Sequence, residues 1–221
     1  MFSIKKNLPP KYGEGTAELR EDFERFFQWG LDLQDPHKQI PEMAHQLGFG
    51  AKVHPLGFHV VYLSEQDHGA LSPQTGVVRA NFFPPGVKIR EDVHSHGFDF
   101  YSGVAQGGLT NLDYGRFSDF PPPTTYGEGL VGYEGRVNET TGENETVLAL
   151  KPVVVLPKPR RQELSRGSSY TMPPKDYFHG LGEFSEGPTV TIFCKTPNYG
   201  GSRGISMTLR EPDDAPVPEE Y

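Results

Sequence analysis

Two histidines one residue apart, His94 and His96, head the aromatic stretch "HSHGFDFYSG". On a strand, residues i and i+2 share a face, so both rings would project to one side. Imidazole is a ligand for Zn, Fe, Cu and Ni, and two neighbours on one face can fill adjacent coordination positions. Taken alone, the pair is equally well explained by surface or hydrogen-bonded histidines. A third histidine adds weight. His179 follows a strand-like segment and a Pro-Pro turn in "GSSYTMPPKDYFHGLGEF". In a closed antiparallel barrel, strands distant in sequence face one another across the interior. His179 would then meet His94 and His96 around one cation.

Other residues could serve such a site. Arg79 lies in "VVRANFF", a strand expected to be buried. A buried Arg needs a carboxylate partner, either from the protein or from a substrate. Tyr177 shares the parity of His179 and is the better inward candidate of the two nearby tyrosines, Tyr170 being the other. Tyr101 either donates a hydrogen bond to a bound molecule or packs in the core. His54 and His59 precede the barrel, and packing or hydrogen bonding suits His59 better than ligation. Cys194, in "TVTIFCK", reads as a small buried hydrophobe rather than a nucleophile, because no base can be placed beside it.

Stepping along the chain gives the elements that must hold these groups. Residues 16–47 read as helical, with Thr16 as a cap and an apolar face of Leu19, Phe23, Phe26 and Phe27. Gly30 and Asp35-Pro36 interrupt the run, and a second helix is expected from Ile40 to Leu47, with Gly48 beyond its end. From about Phe58 the chain becomes a series of short β-branched or aromatic runs bounded by Gly, Pro, Asn or Asp, about nine strands in all. "NETTGENET" reads as a hairpin tip, "PKPRRQELSR" as a solvated turn, and 117–127, with three consecutive prolines, as a loop near a barrel mouth. Three regions result: a helical extension over 1–57, a β-barrel over 58–210, and an acidic, Pro-rich tail over 211–221.

Composition agrees with a β-rich chain. The 221 residues include 26 Gly and 21 Pro, which suit many strands and turns, and 15 Phe with 10 Tyr, which can build a core although only 35% of residues are hydrophobic. The formal charge of −8, with no Lys/Arg stripe to offset it, argues against a nucleic-acid partner. No apolar run is long enough for a membrane helix, and the N-terminus lacks a signal-peptide core. A single cysteine fits a reducing compartment, so a cytoplasmic location is expected. Edge strands left by an open barrel would allow a homodimer.

With its histidines in this order and context, the sequence resembles the cupin superfamily over roughly residues 77–196. Its first motif would read Gly86, His94-Ser95-His96 and Gly107. Its second would read Gly167, Pro174-Lys175-Asp176, His179 and Glu183. The motif's usual glutamate is missing, since its slot falls at Phe100 or Tyr101. Asp99 is nearby, but a straight strand would turn it away from the metal unless Gly97 forms a bulge. The turn glycine is replaced by Asp176. The resemblance implies a mainly β fold, a cupin-type double-stranded β-helix or antiparallel jelly-roll barrel with the N-terminal helices outside it. It also implies a metal held by His94, His96 and His179.

Three neutral imidazoles leave a divalent charge uncompensated, so the site should favour anionic chelating ligands. In octahedral geometry three positions remain, enough for a chelating substrate and O₂. The layout is similar to three-histidine thiol dioxygenases of the cysteine dioxygenase kind. That similarity implies Fe(II), O₂ as co-substrate, no organic cofactor, and an oxygenase acting on a small molecule. Tyr101, Tyr177 and Arg79 would then position the substrate. The same ligands also suit Zn, which would make a lyase or isomerase, and Ni, Mn or Cu remain open. A non-catalytic binding or sensing role is the alternative from another class.

Overall fold

The computed structural model describes residues 19–54, 57–63, 77–87, 93–122, 130–137, 144–148, 154–172, 177–195 and 206–210. Outside them lie Thr16, the hairpin tip at 138–143, residues 123–127 of the Pro-rich segment, the Pro-Pro turn at 173–176 and the acidic tail.

Two helices come first, α1 (Leu19–Asp32) and α2 (Pro36–Leu47). The apolar spacing of α1 buries Leu19, Phe23, Phe26 and Trp29 on one face. Phe26 is wholly buried, and a side chain of that kind stabilises by roughly 1.5–3 kcal/mol. Gly30 does not end this helix. It is a buried contact point, because a Cβ there would stand 3.0 Å from Ile192 Cγ1 and 3.3 Å from Ala105 Cβ. The helix ends two residues later, where the Arg166 guanidinium donates to the Leu31 carbonyl at 2.6 Å and the Leu33 carbonyl at 3.3 Å, covering acceptors that the helix leaves open. Pro36 opens α2 at a position that tolerates a missing N–H. Gly48, in the left-handed region at φ 72°, closes it.

Thirteen strands follow among the described residues: β1 (Ala51–Val53), β2 (His59–Tyr62), β3 (Val77–Phe83), β4 (Val93–His94), β5 (Phe100–Gln106), β6 (Gly108–Arg116), β7 (Val131–Val137), β8 (Asn144–Leu148), β9 (Arg160–Ser165), β10 (Ser169–Met172), β11 (Tyr177–Phe184), β12 (Thr189–Lys195) and β13 (Ser206–Arg210). One antiparallel sheet has the order β1-β2-β3-β12-β5-β10, and the other β8-β7-β13-β4-β11-β6-β9. At their centre, β3-β12-β5-β10 face β4-β11-β6-β9. The chain reaches these eight strands by repeatedly crossing between sheets, which is the order of a jelly roll. The fold is therefore mainly β, a double-stranded β-helix with helices at its N-terminal side.

The core follows strand parity. On β5, Tyr101, Gly103 and Ala105 face α1, while Phe100, Ser102 and Val104 face the interior. Outside the first sheet, the helices share a cluster with Val78, Ala80, Ile192 and Cys194. Between the sheets, Val104 meets Leu109 and Leu164, and Phe58, Val60 and Phe83 meet Leu181 and Phe184. Outside the second sheet, Val93 and Phe178 are covered by Phe117 and Phe120. The segment at 117–122, read from sequence as part of a mouth loop, thus begins as a 3₁₀ turn at Phe117–Asp119 and covers an outer sheet face. Residues 160–165, read as a turn, form the edge strand β9. Its charged residues face solvent, and only Leu164 is buried.

Candidate metal centre

His179 and His94 are directly opposed in the β11–β4 ladder, a register that brings cross-strand side chains into contact. β4 ends at His94. Buried Ser95 then turns away and His96 returns to the same side. The ring centroids lie 4.8 Å apart for His94 and His96, 4.7 Å for His94 and His179, and 5.2 Å for His96 and His179. One ligand nitrogen from each ring lies within 4.8 Å of the others. The sequence reading that joined these three residues is therefore met in space.

The donor set fits a divalent metal. His96 Nε2 and His179 Nε2 are 3.0 Å apart, close to the ~3.0 Å that separates adjacent octahedral positions when metal–nitrogen bonds are ~2.1 Å. On the far side of its ring, His179 Nδ1 lies 3.1 Å from Asn111 Oδ1. With Nδ1–H donating to this amide oxygen, Nε2 carries the lone pair that faces the cluster. Burial, reinforced by the neighbouring His94, holds the His179 pKa well below its ordinary value. Burial does the same for His96, helped by His94, His179, Arg79 and His54. Both rings are therefore neutral near pH 7, as ligation requires.

No carboxylate belongs to the group among the described residues. Phe100 takes the interior place, 4.9 Å from the His96 ring and 5.7 Å from the His179 ring. Tyr101 consequently points the other way, stacked 5.5 Å from Phe23 of α1. Its expected place beside the histidines is corrected by the one-residue alternation of β5. The bend at residues 97–98 restarts that alternation, so counting from His96 misleads.

Around the histidines, Phe98, Phe100, Met172, Phe193, Tyr170 and Tyr177 form one cluster. Tyr177 joins this interior group, as its parity suggested. So does Tyr170, whose ring is 6.4 Å from that of His179 and whose hydroxyl burial pushes up to about 12 while Ser102 hydrogen-bonds to it. Arg79 lies 4.4 Å over the Phe193 ring, and Lys195 lies 4.7 Å over the Phe98 ring. His54 stacks on Phe58, with centroids 4.2 Å apart. Burial first, then Arg79 and His94, lowers its pKa to about 2. His59 is exposed on β2, and Cys194 is wholly buried behind the first sheet.

Sequence reasoning did not find Asn111. Its signal was present, since an Asn inside "LTNLDY" is unusual in a strand and needs a partner when buried.

No known family model matches the sequence, and no curated protein matches it. Solved structures with some likeness include cupin-like proteins and double-stranded β-helix proteins. A hydroquinone 1,2-dioxygenase from a Sphingomonas species is 13% identical with a TM-score of 0.31, over 55% of this chain and 59% of that one. A cupin-like protein from Thermotoga maritima is 15% identical with a TM-score of 0.31, over 69% and 74%. An L-ribose isomerase from Cellulomonas parahominis is 13% identical with a TM-score of 0.34, over 95% and 90%. The chain spans 59% of the dioxygenase and 49% of a DMSP lyase structure, less than two thirds of either. At this level of similarity no function transfers, and the jelly-roll assignment rests on the strand order.

Proposed function

We propose that the protein is a mononuclear, Fe(II)-dependent oxygenase, a dioxygenase in type, that uses O₂ on a small anionic chelating molecule. The observation that carries this reading is a ligand group of three neutral imidazoles with no acid beside it. A divalent ion there keeps its full charge, so the centre selects a substrate that brings a negative group to it. Bound iron would supply Lewis acidity and redox chemistry with O₂.

The protein's own residues orient and enclose. His179 is fixed in one tautomer by Asn111. Arg79, over Phe193, attracts the anionic end of a substrate. Phe98, Phe100 and Phe193 keep bulk water from the reacting side, which strengthens every charge interaction there. Tyr177 is the candidate hydrogen-bond donor to bound substrate. Orientation and charge compensation would supply much of the rate. A single buried free thiol suits a reducing, cytoplasmic setting.

The test is metal analysis of protein purified without chelators, followed by O₂ uptake by iron-loaded protein with thiols, catechols and β-dicarbonyls. Iron content near one per chain and substrate-dependent uptake are expected, and His179→Ala should abolish metal retention. Zinc in place of iron, with no uptake across the panel, would replace this reading with a zinc lyase or isomerase. Metal retained by His179→Ala would overturn the ligand assignment.

A further inference from the structure

The inward face of β3 carries a second polar residue, two positions beyond Arg79. Asn81 is only 5% exposed, and its Nδ2 donates to Thr191 Oγ1 at 3.1 Å on the neighbouring strand β12. That bond fixes the amide, with Nδ2 toward β12. Asn81 Oδ1 accepts no hydrogen bond among the described residues. On the other side its cross-strand partner is Val60, whose side chain offers no donor. A buried acceptor without a donor is costly, and such atoms are normally answered by a ligand or an ordered water.

Strand register connects this atom to the metal centre. Arg79 pairs with Phe193, Phe193 with Ser102, and Ser102 with Tyr170. That row ends beside His179, with Tyr170 and His179 centroids 6.4 Å apart. Asn81 and Thr191 belong to the next row inward. Residues i and i+2 of a strand are separated by ~6.6–6.8 Å, so the Asn81 and Arg79 backbones lie about the width of one small polar group plus its contacts apart. A molecule reaching Arg79 from the histidines can reach Asn81 with its next substituent.

We propose that Arg79 and Asn81 form a recognition point for a hydroxy-carboxylate end of the substrate, Arg79 taking the carboxylate and Asn81 Oδ1 accepting from the hydroxyl. The donor is neutral because Arg79 lies two residues away and Lys195 stands over the adjoining aromatic cluster, so an ammonium would meet like charge. The substrate is then bifunctional, one anionic end meeting the metal and a hydroxy acid meeting β3. The assignment deepens the reading of the same site as a pocket for small anions, but it does not depend on O₂ chemistry.

The test measures binding of malate, succinate and aspartate to the zinc-loaded full chain by calorimetry, in the wild type and in Asn81→Leu. Zinc is redox-inactive, so no turnover intervenes, and any chelation of the malate hydroxyl by the metal is common to both proteins. Wild type is expected to prefer malate over succinate about tenfold more strongly than Asn81→Leu does, with aspartate no better than succinate. Equal malate-to-succinate ratios in the two proteins would overturn the proposal and leave a buried water as the partner of Asn81. Aspartate binding ahead of malate would overturn the neutral-donor assignment. If Asn81→Leu does not fold, Asn81→Ser at the same site gives the comparison, and equal affinity of wild type for malate and succinate refutes the proposal with no variant. An absence of O₂ uptake in the iron-loaded protein leaves these ratios unchanged, so the two readings fail separately.

Discussion

At the scale of single residues, the second partner of His179 decides how well the centre is made. Asn111 reaches His179 Nδ1 across the β6–β11 ladder at 3.1 Å, and outer contacts of this kind are worth roughly 10–100-fold in metal affinity. Asn111→Ala should weaken metal binding by about that factor in competition with a calibrated chelator, while circular dichroism stays native. Unchanged affinity would mean that the ring is oriented by its packing alone. The ligands were legible in sequence because a His-x-His pair and a later histidine in strand context form a pattern on their own. Asn111 was not, because it lies 68 residues from its partner and only the fold pairs them. Tyr101 was misassigned for a local reason. The chain bends between His96 and β5, so parity counted through the bend assigns the wrong face.

At the scale of elements, the route between the sheets imposes its own demands. Gly107 carries the chain from β5 in one sheet to β6 in the other, at φ 71°. It was read from sequence as a hairpin turn, but its two strands do not pair with each other. A Cβ at Gly107 would stand 2.6 Å from the Pro188 carbonyl oxygen and from Thr189 Oγ1, whereas one at Gly86, at φ 70°, would meet nothing within 4 Å. Gly86→Ala should therefore cost only the left-handed strain, about 1–2 kcal/mol. Gly107→Ala should cost about 1–3 kcal/mol more, because the oxygen it meets belongs to backbone that cannot turn aside. Urea unfolding of both variants checks the difference, and equal losses would mean that the corner yields. The helices were legible from the spacing of Leu19, Phe23 and Phe26. Strand β9 was hidden because edge strands carry charge on their open side, and its one buried side chain, Leu164, gives no periodic signal.

At the scale of the whole molecule, the fold class was readable from the many short strands and turns, but the partition into two sheets was not. Strand order is set by long-range pairings that no local pattern encodes. Burial also gives the protein a definite response to acid. His54, His96 and His179 all titrate below the ordinary 6.5, with His54 near 2. Each binds a proton more readily unfolded than folded, so its stabilising effect is intact above pH 6.5 and is lost as pH falls below that value. In metal-free protein each group should remove about 1.4 kcal/mol per pH unit within that window. Chemical denaturation in chelator at pH 7.5, 6.5 and 5.5 should therefore show little change over the first step and a marked loss over the second. A flat profile would mean that the rings take up protons in the native state. Metal should protect against the loss, since a ligated imidazole cannot be protonated.

The ladder position of His94 has a further consequence for synthesis. Its strand lies between β11, which brings His179, and β13, whose Thr208 pairs with His94 on the other side. A chain growing on the ribosome makes the first two imidazoles more than eighty residues before the third and more than a hundred before the neighbour that closes their far edge. At ~5–20 residues per second, the half-built pair waits several seconds with its ladder bonds unmet. Cation capture should thus come after translation, as a late step on a barrel already closed.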